Sequence, residues 1–220
     1  MSACDLLVFG ATRNTGLKVA ELAVKRGERI AAMVRHGSDA TALEALGVTV
    51  IRGDAFNLDD CIHAIQTSQP RRVVSLMGGK NPDGRRICAI GNIHVAEALA
   101  YYKEGLERFL LVTSMGCGDQ YAGTSDMVRQ FLGEALRAKT RAEDYLLSLE
   151  LPWTIVRPGG LQDSPATGRF HLSEQPDRSR KGYLSRADVA LAILQVLDDP
   201  VWLHRTATVQ NTEKLEQEKC

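Results

Sequence analysis

The chain has 220 residues, with 27 Lys and Arg against 27 Asp and Glu, 44% apolar residues and 19 glycines. That length and apolar share suit one domain with a sizeable core and exclude a disordered chain. A formal net charge of zero, without any block of Lys or Arg, excludes the basic footprint of a nucleic-acid binder or of a protein held on an anionic membrane.

The longest apolar runs, such as Ile30 to Val34 and Phe109 to Val112, fall far short of the roughly 18 to 20 residues a membrane span needs, so no membrane partner is expected. Met1-Ser2-Ala3-Cys4-Asp5 leads straight into an apolar segment without a charged leader or cleavage site, and the expected compartment is the cytoplasm. The five cysteines (Cys4, Cys61, Cys88, Cys117, Cys220) show no C-x-x-C spacing, which predicts reduced thiols and neither a disulfide framework nor a zinc site. The five histidines (His36, His63, His94, His171, His204) lack metal-ligand spacing, so no metal is expected. His171 alone falls where a substrate cleft is expected.

In chain order, short Val/Leu/Ile-rich runs alternate with segments of helical period, the pattern of a doubly wound parallel α/β sheet covered on both faces. Strands are predicted at Asp5 to Gly10, Arg29 to Val34, Val48 to Ile51, Arg72 to Leu76, Arg108 to Thr113, Trp153 to Arg157 and, as a seventh, near Ala207 to Gln210. Crossover helices are predicted at Thr15 to Arg26, ended by Gly27, and at Leu58 to Ile65, Ile90 to Tyr101, Val128 to Leu149 and Arg186 to Leu197. Between the last two, Gln162 to Gly182 mixes Pro, Gly, Ser, Asp and Arg and reads as a surface excursion carrying substrate contacts. The whole is one Rossmann-type domain over residues 1–211 with the excursion at about 159–184, and a charged, mobile tail from Thr212 to Cys220.

Asp5 to Gly16 reads as an apolar strand, a tight turn and a helix start. In such a turn Gly10 lets the backbone reverse, the helix N-terminus offers N–H groups to a pyrophosphate, and Gly16 lets helix and sheet approach. A dinucleotide is the natural ligand. The second strand ends Met33-Val34-Arg35-His36 without an acid to accept a ribose 2′-hydroxyl, whereas Arg35, with Arg13 from the first turn, suits a 2′-phosphate. NADP(H) is therefore the expected cofactor; the alternative is that both arginines are solvated charges.

Gly10-Ala-Thr-Arg-Asn-Thr-Gly16 is similar to the Gly-Ala-Thr-Gly-x-Thr-Gly fingerprint of atypical short-chain dehydrogenases/reductases, with Arg13 at the middle glycine. Gly53-Asp54, Leu76-Met77-Gly78, Gly91-Asn92, Val112-Thr-Ser-Met-Gly116, Lys139-Thr-Arg-Ala-Glu143, Trp153 to Leu161 and Ser185 to Ala190 follow in family order. The resemblance is to the NAD(P)H-binding members that include NmrA-like sensors and flavin/biliverdin-IXβ reductases, and it implies a strand order of 3-2-1-4-5-6-7. It places cofactor contacts at Gly10, Thr12, Arg13, Asn14, Thr15, Gly16, Arg35, His36, Asp54, Ala55, Met77, Gly78, Gly79, Thr113, Lys139 and Pro158. Asp54 is either an acceptor for the adenine amino edge or a turn cap.

The superfamily's Tyr-x-x-x-Lys pairs a proton-delivering tyrosine with a lysine on the nicotinamide ribose. Here Lys139 matches the lysine, but Ala135 stands where the tyrosine would be. Ser114 matches the superfamily's catalytic serine and would orient an acceptor oxygen, while Tyr121, in a flexible loop, is a substitute proton donor to be tested. Cys117 and Asp119 share that loop; Cys117 has no sequence partner to make it a nucleophile. Ser185 is expected to cap the last helix, with Arg186 and Asp188 holding its start.

The resulting expectation is an NADPH-dependent reductase transferring hydride to a small planar acceptor such as a flavin, quinone, tetrapyrrole or enone. The alternatives are a non-catalytic NADP(H)-binding sensor or scaffold and a nucleotide-dependent epimerase or isomerase. A small-molecule substrate is expected as partner; monomer and homodimer both stay open.

Overall fold

The computed structural model describes residues 4–80 and 83–213; the expectations for residues 1–3 and for the tail beyond Glu213 lie outside them. Seven strands carry the fold: β1 (Leu6–Phe9), β2 (Ile30–Val34), β3 (Thr49–Arg52), β4 (Arg72–Ser75), β5 (Arg108–Val112), β6 (Trp153–Pro158) and β10 (Thr206–Gln210). With β8 (His171–Ser173) they form one sheet in the order β3-β2-β1-β4-β5-β6-β10-β8, parallel except where β8 runs against β10. Strands β1 and β2 are apolar throughout, and all four residues of β1 are buried, because helices cover both faces.

One face packs α1 (Asn14–Lys25) and α6 (Arg186–Asp198) over Leu6, Val8, Val74, Leu110 and Val209. The other packs α3 (Leu58–Ser68), α4 (Ile87–Tyr101) and α5 (Asp126–Leu147) over Leu7, Phe9, Phe109, Leu111 and Ile155. Gly27 ends α1 as expected, at φ +81° with its N–H on Val24 O at 2.9 Å. Ser185 caps α6 by accepting from Ala187 N at 3.1 Å, and Asp188 takes bonds from Thr167 N and Gly168 N, both at 2.8 Å.

The excursion is more ordered than its composition predicts. His171–Ser173 adds the eighth strand to the sheet, and β7 (Leu161–Gln162) pairs with β9 (Leu184–Ser185) so that both ends of the excursion are fixed together. A short helix, α2 (Thr41–Ala45), precedes β3, and α4 starts at Ile87, before the predicted Ile90. The segment holding Tyr121 is a 3-10 helix over Gly118–Gly123 and not a flexible loop.

Because β1 lies between β2 and β4, consecutive crossovers leave it in opposite directions, and the crevice for a ligand opens beyond the C-terminal ends of β1 and β4. All the candidate site motifs meet at that edge.

Candidate active site

The turn from β1 into α1 is pressed against the end of β4. Gly10 has φ +88°, and a Cβ there would lie 3.2 Å from Leu76 C and 3.3 Å from Met77 N. At Gly16 a Cβ would come within 2.0 Å of Gly10 O, so no other residue lets α1 begin here. The N-cap residue Arg13 makes no side-chain capping bond, and the first turn of α1 holds no acid. Its leading N–H groups therefore have no side-chain acceptor, which is the condition an anionic pyrophosphate meets. Thr12 is half-buried, Arg13 and Asn14 are exposed, and Thr15 is buried beneath them.

Arg35 and His36 stand exposed at the end of β2, beside the β1 turn that carries Arg13. Sequence reasoning missed the brace beneath them: Arg52 of β3 donates to Ser38 O at 2.8 Å and Arg35 O at 3.4 Å, holding the loop that carries Arg35. Asp54 caps its own turn, accepting from Phe56 N at 3.0 Å, and its other oxygen has no donor within the described chain. Ala55 is buried, and its carbonyl meets His94 Nδ1 at 2.9 Å, which gives that histidine a structural role. Beyond β4, Met77 packs against the core while Gly78 and Gly79 face open space.

At the end of β5 a saturated polar floor lies beneath Ser114. Lys139 Nζ donates to Thr113 O at 2.7 Å, and the Thr113 hydroxyl donates to Glu143 at 2.5 Å. Lys139 and Glu143, one helical turn apart, thus grip the same residue from α5. Arg157 of β6 binds both oxygens of Glu143, at 3.0 and 2.8 Å, and Asp119 at 2.5 Å, and Gln175 of the excursion donates to Asp119 at 2.9 Å. Glu143 and Arg157 are almost wholly buried. Burial works against the Arg157 charge, but the Glu143 and Asp119 carboxylates outweigh it and raise its pKa. Burial likewise would raise Asp119, and its bonds from Arg157 and Gln175 hold it below the usual range instead. Gly118 makes room for this ion pair, since a Cβ there would lie 2.2 Å from Arg157 Nη2. Thr113, Lys139, Glu143 and Arg157 fall within the family motifs and Asp119 and Gln175 outside them, and the sequence gives no sign that they touch.

Above the floor, Ser114 is half-buried and its hydroxyl has no hydrogen bond to the described chain, while Met115 is tied back through its N–H to Pro158 O at 2.9 Å. Leu132 and Val128 lie about 20° round α5 on either side of Lys139, and Ala135 about 40° away, on the helix's inner face. Yet Leu132 is 51% exposed, so this position of the inner face is not covered by the core. Met115 and Tyr183 are also exposed, beside Gly159 and Gly160 respectively.

Tyr121 is not brought to this group. Its hydroxyl accepts from Arg137 Nη1 at 2.8 Å, and Arg137 lies about 200° round α5 from Lys139. The expectation of Tyr121 as proton donor is corrected on that ground. Cys117 is buried with its thiol pushed up to about 11, chiefly by burial, so it is no nucleophile. His171 sits on β8, with β6 and β10 between it and β5, away from Ser114.

A doubly wound sheet whose first turn exposes an uncapped helix N-terminus defines a Rossmann-type dinucleotide-binding protein. Residues 10–200 match the NAD(P)H-binding family, and the chain belongs to it. The solved structure of ChuY, an anaerobilin reductase from Escherichia coli O157:H7, superposes with a TM-score of 0.83 at 30% identity, covering 97% of this chain and 100% of that one. YhfK of Bacillus subtilis, named an uncharacterized sugar epimerase, is 26% identical over 200 residues, 88% of each chain. Sanguinarine reductase of Eschscholzia californica is 35% identical over 99 residues, 44% of this chain and 35% of that protein. The family and these likenesses make the chain an NAD(P)H-binding protein of oxidoreductase type.

Proposed function

We propose that the chain is an NADPH-dependent reductase that passes a hydride to a small planar acceptor, with an open-chain tetrapyrrole favoured among flavins, quinones, tetrapyrroles and enones. The likeness to an anaerobilin reductase over nearly the whole chain supports that preference. The observation that carries the reading is the unpartnered Ser114 hydroxyl beside a floor that Lys139, Glu143 and Arg157 tie to Thr113.

A reduced nicotinamide bound along the β1 and β4 ends supplies the hydride. The α1 N-terminus, with Gly10, Thr12, Asn14, Thr15 and Gly16, holds the pyrophosphate; Arg13, Arg35 and His36 hold the 2′-phosphate. Asp54 and Ala55 flank the adenine, and Met77, Gly78, Gly79, Thr113 and Pro158 line the path to the nicotinamide. Lys139 keeps two donors for ribose hydroxyls after binding Thr113. Ser114 Oγ donates to the acceptor and orients it, and Leu132 and Val128 exclude water from one side. No side-chain acid stands at Ala135, so the proton comes from solvent at the open side of the cleft.

The name of the Bacillus subtilis relative supports a second reading, an epimerase or isomerase that takes a hydride and returns it. The two part in one experiment. Protein and NADPH are mixed with flavins, quinones, biliverdin and enones, and the nicotinamide absorbance is followed, with Ser114→Ala as control. Acceptor-dependent loss of absorbance, slowed about 10- to 100-fold in the control, is expected of the reductase. No net loss with any acceptor overturns it. The assigned compartment is the cytoplasm, supported by the buried free thiols of Cys4, Cys61, Cys88 and Cys117.

A further inference from the structure

Two adjacent residues of the 3-10 helix reach to opposite sides of Ser114. Gln120 is buried, and its Oε1 accepts from Gly116 N at 3.1 Å, just beyond Ser114 in the chain. Asp119 accepts from Arg157, which through Glu143 holds the hydroxyl of Thr113, just before Ser114. The strand end that presents the Ser114 hydroxyl is thus bracketed by bonds leading to one short element. Gly118 N donates to Thr140 Oγ1 at 2.9 Å and pins that element to α5, next to Lys139.

The same two residues also face the excursion. Asp119 Oδ2 accepts from Gln175 at 2.9 Å. Gln120 Nε2 donates to Thr208 Oγ1 at 2.9 Å, and the Thr208 hydroxyl in turn donates to Glu174 O at 3.2 Å. Two polar chains therefore leave consecutive residues of the excursion, cross consecutive residues of the 3-10 helix, and end on Thr113 and Gly116. All three side-chain nitrogens of Arg157 are engaged along them, and both ends of the Gln120 amide. Gln120, Thr208, Thr113, Glu143 and Arg157 are buried, whereas Asp119 and Gln175 are exposed. Buried polar chains whose members are all partnered hold one arrangement, and a group seated on them is fixed before its ligand arrives.

We infer that Asp119 and Gln120 are positioning residues for Ser114, and that through them the excursion at Glu174 and Gln175 sets how the Ser114 hydroxyl meets the acceptor. The inference rests on the reductase reading and extends it to residues that touch neither cofactor nor acceptor. Cutting either chain misplaces Ser114 in the transition state and leaves the nucleotide site intact, so the loss falls on kcat.

The test cuts the Asp119 chain at its exposed end and reads Ser114 in two ways. Asp119→Ala and Gln175→Ala are each made in the parent and in Ser114→Ala, and NADPH oxidation is measured with the fastest acceptor among flavins, quinones, biliverdin and enones. In the parent, Asp119→Ala is expected to lower kcat about tenfold and Gln175→Ala about threefold, with the KM for NADPH within about twofold. In Ser114→Ala both replacements are expected to change kcat by less than about twofold, because residues acting through one group are not additive. Asp119→Asn, which keeps an acceptor for Arg157, is expected to restore most of the rate. The second reading needs no acceptor. Amide hydrogen exchange at Met115, Gly116 and Cys117 is expected to quicken about fivefold or more in Gln175→Ala, with β1 and β4 at parent rates. Gln175 is exposed, so this variant keeps the measurement open should Asp119→Ala not fold.

Equal changes in the two backgrounds, or parent exchange rates in Gln175→Ala, overturn the inference. Absence of turnover with every acceptor removes the reductase reading instead, and the exchange rates then decide the inference alone.

Discussion

At the N-terminal edge of the sheet, Arg72 reaches Glu28 at 2.8 Å and Asp198 at 2.6 Å, Arg26 shares Asp198, Arg71 holds Glu107 and Arg29 holds Asp5. Even Arg108, buried there without a carboxylate in contact, spends its guanidinium on Thr154 and on the carbonyls of Val196 and Asp199 that end α6. At the C-terminal edge Arg13, Arg35 and Arg178 have no partner in the described chain, and Arg137 has only a tyrosine hydroxyl. One sheet thus treats the same side chain in two ways. At the base its charge is neutralised within the fold; at the crevice Arg157 is neutralised in the same way, while Arg13 and Arg35 are left without a partner in the described chain.

If that division holds, a change at the crevice edge should strike ligand binding and one at the base should not. The largest effect is expected from Gly16→Val, which forces a side chain into Gly10 O, 2.0 Å from the Cβ position. NADPH binding, followed by fluorescence titration, should weaken by more than about 100-fold. Retained affinity would mean that the first turn is not the pyrophosphate site. Next comes the floor. Glu143→Ala strands the buried Arg157 guanidinium and the Thr113 hydroxyl, at a cost of about 3–5 kcal/mol in urea unfolding. A loss below about 1 kcal/mol would show the floor to be open to water.

Arg35→Asp sharpens the comparison from the ligand side. Loss of a charged hydrogen bond worth about 1.5–3 kcal/mol corresponds to roughly 10- to 150-fold weaker NADPH, while NADH, without a 2′-phosphate, is spared. Equal affinity of the parent protein for both nucleotides would remove the assignment of Arg35 and Arg13 to the phosphate. The brace predicts a smaller effect of the same sign for Arg52→Ala, since it reaches the Arg35 loop through the carbonyls of Ser38 and Arg35.

The sheet was legible because buried parallel strands read as unbroken apolar runs and their crossovers as 3.6-residue periods, and both signals are local. The phosphate turn was legible for the same reason, being one continuous stretch from Leu6 to Gly16. What escaped reading lies in contacts between distant segments. β8 is three half-buried residues that become a strand only by pairing with Gln210 and its neighbours. Glu143, Arg157 and Asp119 meet from α5, β6 and the 3-10 helix, and Gly118 owes its identity to a guanidinium 39 positions later in the chain. Tyr121 was misplaced because closeness to Ser114 in sequence says nothing about which flank of α5 a side chain faces.

The smallest effects belong to the base. Asp198→Asn breaks pairs with Arg26 and Arg72, but Asp198 is 46% exposed and Arg72 keeps Glu28, so the loss should stay within about 1 kcal/mol. Acid titration separates two carboxylates at this edge. Hydrogen bonds from Arg29 hold the Asp5 carboxyl down to about 2, below its ordinary 3.8. Its stabilising contribution is therefore full above the ordinary value and is lost as pH falls toward about 2. Burial, outweighing the pull of Arg72, pushes Glu28 the other way, so its ionisation works against the fold and protonation on acidification relieves that penalty. Asp5→Asn should then be less stable than the parent at neutral pH and converge with it near pH 2 in urea unfolding, with nucleotide affinity unchanged throughout the neutral range. A drop in NADPH affinity for either base variant would break the division between the two edges, since it would show that the neutralised charges at the base reach the crevice through the sheet.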